Sequence, residues 1–210
     1  GGVLGVLHVG VVSAVLRHGL LPRVISGSSA GSIVAAALAA YTDEEMAELD
    51  LIGLLESGEE EDRGVIWQFV SLLGSRLTAE ETEQLISATI PDLTFAEAYA
   101  KTGRQVSITV APAEPHQRSR LLNAVSSPNV YLRSAAMASC AIPGVFPAVM
   151  LQAKNEKGEA QPYLPARRWV DGSVADDLPA KRLSRLFSTN HYIVSMVNPI
   201  ARAFLPRDER

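Results

Sequence analysis

The sequence predicts an α/β sandwich with a largely parallel sheet, on three observations. Short β-branched runs alternate with helical runs, the pattern of helices covering a sheet. One such run, Pro22-Arg23-Val24-Ile25-Ser26, passes through Gly27-Ser28-Ser29-Ala30-Gly31-Ser32 into an alanine-rich helical run, 33–41. No internal repeat or linker divides the 210 residues, so they read as one domain.

Strand, Gly-x-Ser-x-Gly, helix is the setting of a nucleophile elbow. So tight a turn is expected to need residues without Cβ on both sides of the serine, Gly27 and Gly31. It would hold Ser29 Oγ at the carboxyl end of the strand. There the helix dipole and free N–H groups favour the negative charge that develops in acyl transfer. A structural turn is the competing reading, since the motif is built from common residues.

Before the elbow, Gly1-Gly2-Val3-Leu4-Gly5 is a glycine loop opening a helix that closes at Gly19. Such a loop presents backbone N–H groups to an anion. Neither the Walker nor the dinucleotide spacing is met, which leaves an oxyanion hole or a simple tight turn. The chain starts at Gly1 with no methionine and no strand before this loop, so a piece of a longer protein is expected. Residues 1–16 carry no basic leader and do not read as a signal peptide.

After the elbow, residues 42–102 read as a helical insertion between two strands. Its signals are three capping boxes, Thr42–Glu45, Thr78–Glu81 and Thr94–Glu97. Val65–Leu73, with Trp67 and Phe69, is its most apolar helix, and the insertion as a whole reads as a lid or acyl-chain wall over the elbow or as ordinary core helices. The acidic run Ser57–Asp62 reads as a solvated connection rather than a metal site. Strands are expected at 106–111 and 121–125, a helix at 131–141, and a stiff apolar loop at Ile142–Pro147. A polar excursion follows at 153–166. A short strand then ends at Asp171-Gly172-Ser173, a helix starts at Pro179, and a last strand spans 192–197.

Composition narrows the function classes. Hydrophobic residues make up 47% and charged residues 20%, which is globular rather than disordered. A net charge of −4 argues against a nucleic-acid partner, which would demand clustered lysine and arginine. The single cysteine, Cys140, excludes an internal disulfide and reads as a small buried hydrophobe. No apolar stretch reaches the roughly 20 residues needed to span a bilayer. Neither a metal nor a cofactor is implied.

A serine hydroxyl needs a base. Asp171 ends a short strand and precedes a glycine, which puts its carboxylate at a sheet edge where ligands bind in open α/β folds. His191 is the rival, because Ser29, Asp171, His191 is the chain order of an α/β-hydrolase triad. A histidine at the start of a parallel strand, however, would lie at the opposite edge from the elbow. His8, His18 and His116 fall in the first helix, at its end and in a polar turn. The residues therefore favour a Ser29–Asp171 dyad without histidine.

Taken together, the glycine loop, Gly27-Ser28-Ser29-Ala30-Gly31, the Pro143–Pro147 segment and Asp171-Gly172-Ser173 resemble the patatin-like phospholipase family over nearly the whole chain. The resemblance implies a three-layer α/β/α sandwich. It also implies Ser29 as nucleophile, Asp171 as general base, and an oxyanion hole from Gly1, Gly2 and the Val3 N–H. The family's Asp-Gly-Gly/Ala is Asp-Gly-Ser here, and its usual basic loop residue is Leu4. Both departures resemble the triacylglycerol-lipase branch of fungal and plant storage-lipid hydrolases. So do 165–173 and His191–Pro199. The implied substrate is a lipid ester, met inside the cell at a membrane or lipid-droplet surface.

Overall fold

A computed structural model describes residues 6–48, 78–114, 116–174 and 178–196. The glycine loop, the helix around Trp67 and Phe69, and the acidic run at 57–62 lie outside the described residues. Helix α1 (Val6–Arg17) leads to strand β1 (Val24–Gly27), then to α2 (Ala30–Ala40) and α3 (Asp43–Glu48). Helices α4 (Ala79–Thr89) and α5 (Phe95–Thr102) precede β2 (Gln105–Pro112) and β3 (Arg120–Leu122). Helix α6 (Leu132–Cys140), the hairpin β4 (Gln152–Lys154) and β5 (Ala160–Pro162), and β6 (Trp169–Asp171) follow. A 3-10 turn at Gly172–Val174 and α7 (Ala180–Phe187) end the described elements.

All three capping boxes form. Thr42, Thr78 and Thr94 each accept from the backbone three residues on, and Glu45, Glu81 and Glu97 each accept from the backbone N–H of that threonine. These reciprocal bonds satisfy amides that a helix start otherwise leaves open. Residues 42–102 are helical wherever they are described outside the connecting turns.

The sheet centres on β2, and among the described residues it is mixed rather than mostly parallel. Strand β1 pairs with β2 in parallel, whereas β3 and β6 both pair with it antiparallel. The link from β2 to β3 spans only residues 113–119. A parallel return needs a dozen or more, so the chain has to reverse. Strand β3 stops at Leu122 because the Asn123 side chain accepts from the Val125 and Ser126 amides, a local turn that replaces the ladder. The strand expected at 192–197 is absent over its described part, which runs without a ladder partner. Its β-branched residues favour extended backbone, but a strand also needs a free edge beside it.

Register places the site. Val110 pairs with Arg120 on β3 and with Asp171 on β6, so β6 lies on the edge of β2 away from β3. Ile108 pairs in the same way with Leu122 and with Gly27 of β1. Strands β1 and β6 therefore share one edge of β2, end to end, with their carboxyl ends facing. Their terminal partners are two residues apart on β2, about 7 Å along the strand.

Helix α2 covers this junction. Ile33, Ala35, Ala36, Ala39 and Ala40 are buried, and the small side chains let it lie close on β1 and β2. Its far end is held by Arg104, just before β2. Arg104 donates to the carbonyls of Leu38 (2.7 Å) and Tyr41 (2.6 Å) and pairs with Asp43. These carbonyls have no further helical turn to bond them. Arg104→Met should lower the unfolding free energy by about 2–4 kcal/mol, the cost of stranding two acceptors, with Arg104→Lys in between. Urea denaturation of the three proteins measures this.

Candidate active site

Ser29 occupies the turn between β1 and α2 with φ 51° and ψ −130°, a conformation that L-residues rarely adopt. Such strain, about 1–3 kcal/mol, persists only where the surroundings enforce it. Gly27 is required for the turn, since a Cβ there would lie 2.2 Å from the Gly31 carbonyl oxygen. Gly31 differs from the sequence expectation: a Cβ there would meet nothing within 4 Å, and the position faces the cavity beside Ser29. Its backbone still closes the turn, donating to the Ser28 carbonyl at 3.0 Å.

Asp171 ends β6 and is almost fully buried. Burial pushes its carboxyl above the ordinary aspartate range, an effect opposed by hydrogen bonds from Ser173 and from the Ser29 side chain. The Ser173 backbone N–H donates to Oδ1 at 2.9 Å. The structure thus brings Ser29 and Asp171 together across the facing ends of β1 and β6. Gly172 lets the chain turn there, because a Cβ would lie 2.6 Å from the Thr109 backbone. The proposed oxyanion residues Gly1, Gly2 and Val3 lie outside the described residues.

His191 is exposed, with Nδ1 2.8 Å from Asn190 Oδ1, and it is not in a strand. His8 on α1 lines the cavity, its Nδ1 2.7 Å from Ser195 Oγ.

A cavity of about 450 Å³ opens beside Ser29, within the size range of ligand pockets. Its apolar walls are Val11, Val12 and Val15 of α1 and Val34, Ala35 and Leu38 of α2, with Ile193–Met196 at the mouth. The apolar Ile142–Pro147 loop is not part of it; Ile142 and Val145 face solvent. Sequence reading therefore missed the lining face of α1, whose valines recur every three or four residues. It also missed Ser139. The Ser29 backbone N–H donates to Ser139 Oγ at 3.0 Å, and Ser139 Oγ donates to the Thr109 carbonyl at 2.8 Å.

A strained serine at a strand-to-helix turn, with a buried aspartate at the end of the strand that faces it, marks an α/β fold with an elbow-like turn. The patatin-like phospholipase family model matches residues 1–184, and the chain belongs to that family and has its fold. Among curated relatives, triacylglycerol lipase 4 of Saccharomyces cerevisiae is 39% identical over 94% of this chain and 23% of its own length. Triacylglycerol lipase SDP1L of Arabidopsis thaliana is 38% identical over 100% of this chain and 28% of its own. The chain thus spans about a quarter of the relatives it matches. VipD from Legionella pneumophila, a solved structure, aligns at TM-score 0.45 and 14% identity over 85% of this chain and 45% of that one.

The two glycines of the motif should separate on substitution. Gly27→Ala forces a Cβ against backbone and should cost about 1–3 kcal/mol. Gly31→Ala has space and a helical backbone, so it should be neutral or stabilising by up to about 1 kcal/mol. Denaturant midpoints of both variants decide this.

Proposed function

We propose that this domain is a serine lipid acyl hydrolase in which Ser29 is the nucleophile and Asp171 the general base. The observation that carries the reading is the buried Asp171 carboxylate at the carboxyl end of β6, which faces the Ser29 turn at the carboxyl end of β1. As Ser29 Oγ attacks the ester carbonyl, its proton passes to Asp171. The tetrahedral oxyanion is held by backbone N–H groups, for which Gly1, Gly2 and Val3 are the proposed donors. Collapse breaks the bond to the alcohol, which leaves with the proton from Asp171. Water then attacks the acyl-enzyme, Asp171 takes the water's proton, and Ser29 regains it as the fatty acid departs.

The proposed substrate is a neutral acylglycerol. Three relatives bear the name triacylglycerol lipase, and the cavity beside Ser29 is walled by aliphatic side chains. Each buried methylene of an acyl chain contributes about 0.8 kcal/mol, so such walls favour long chains. No helix among the described residues is long and apolar enough to cross a membrane. Ile193, Val194 and Met196 are exposed at the cavity mouth, where a droplet or membrane surface would present the ester. Full-length protein should turn over trioleoylglycerol emulsions faster than anionic phospholipid vesicles at one ionic strength. The reverse order makes it a phospholipase. Absence of fluorophosphonate labelling leaves a lipid-binding module.

Asp171 also ties activity to pH. Its raised pKa means the folded state holds the proton more tightly than the unfolded chain. The resulting stability is complete below the unfolded pKa and is lost as pH rises through the folded one. Asp171→Asn should abolish turnover as fully as Ser29→Ala, whereas His191→Gln should not. The Asn variant should melt above the parent at neutral pH, with the margin shrinking on acidification. In the parent, kcat should fall as pH drops through the raised pKa.

A further inference from the structure

The end of α6 grips both halves of the proposed dyad. Ser139 and Cys140 are buried, and Ala141 follows them out of the helix. Ser139 Oγ accepts from the Ser29 amide at 3.0 Å. Cys140 Sγ lies 3.4 Å from the Ser29 carbonyl oxygen, to which Ser32 Oγ donates at 2.6 Å. The Ala141 carbonyl accepts from the Asp171 amide at 2.9 Å. Three consecutive residues thus fix the backbone of nucleophile and base from a third element.

We propose that Ser139 is a positioning residue that holds Ser29 in its strained backbone conformation, so that Oγ faces Asp171. The inference rests on Ser29 being the nucleophile. The hydroxyl of Ser139 has one proton, and that proton is committed to the Thr109 carbonyl. Its lone pair is therefore free to accept from the Ser29 N–H. Ser139 has no exposed surface, so water has no route to replace either bond. Thr109 lies between the β2 residues that end the β1 and β6 ladders, so the relay measures the nucleophile against the strand that also sets Asp171. Cys140, whose thiol burial pushes up to about 12, is neutral at any working pH and acts only as packing and a weak donor.

The test uses full-length protein and saturation kinetics of fluorophosphonate labelling, well below each variant's melting temperature. Ser139→Ala should label about ten-fold more slowly at saturating probe, with the half-saturating concentration within two-fold of the parent. Ser139→Thr, which restores the hydroxyl, should recover the rate to within about three-fold. A lower melting temperature with an unchanged saturating rate would make Ser139 merely structural and overturn the proposal. Should Ser139→Ala not fold, the substitution is made in a Ser29→Gly background, where glycine adopts the positive φ without strain. The proposal requires Ser139→Ala to be tolerated there, and failure to fold in that background also overturns it. If Ser29→Ala labels as fast as the parent, the nucleophile assignment has failed, an outcome separate from any result at Ser139.

Discussion

The site depends on one constraint: two strands of opposite direction must stop on the same edge of β2, two residues apart. Parallel β1 delivers Ser29 and antiparallel β6 delivers Asp171. The sense of each strand determines that both carboxyl ends meet. A wholly parallel arrangement on that edge would carry β6 past the elbow instead of towards it. Thr109 sits between the two end positions and touches both sides, with Gly172 against its backbone and Ser139 bonded to its carbonyl.

Close approach accounts for much of the sequence around that junction. Gly27 lies beneath the first turn of α2, and Gly172 lies against β2, each where a methyl group would collide with backbone. The alanines of α2 extend the same logic, bringing a helix down onto the sheet with little side chain between. Several polar groups in this compact region bond to backbone. Arg104 closes one end of α2, and Ser32, Ser139 and Cys140 surround Ser29 at the other. Asp171, which accepts from the Ser173 amide, is a carboxylate kept from water where ionisation is disfavoured and basicity is raised.

The elements legible in the sequence were those with local causes. The capping boxes, the glycine-flanked serine and the Asp-Gly turn each depend on neighbours within a few residues, and each forms. Strand direction was not legible, because it depends on which edge of β2 is free and how far the chain must travel to it. The 192–196 segment shows the same limit: its β-branched run predicts a strand, but pairing is a property of two segments and none forms over the described part. Ser139 left no local signal at all. A serine in an apolar helix looks like a small core residue until Ser29 and Thr109 are folded against it. The requirement at Gly27 could be anticipated from the turn, whereas the open space at Gly31 could not, since it depends on what the cavity leaves empty.

The bond between the Ser29 amide and Ser139 joins residues 110 apart in the chain. Asp171 arrives later still, behind a hairpin and a loop. During synthesis the motif-bearing turn therefore leaves the ribosome long before either of the elements that come to surround it. The surroundings of the Ser29 turn are complete only once β6 has paired with β2.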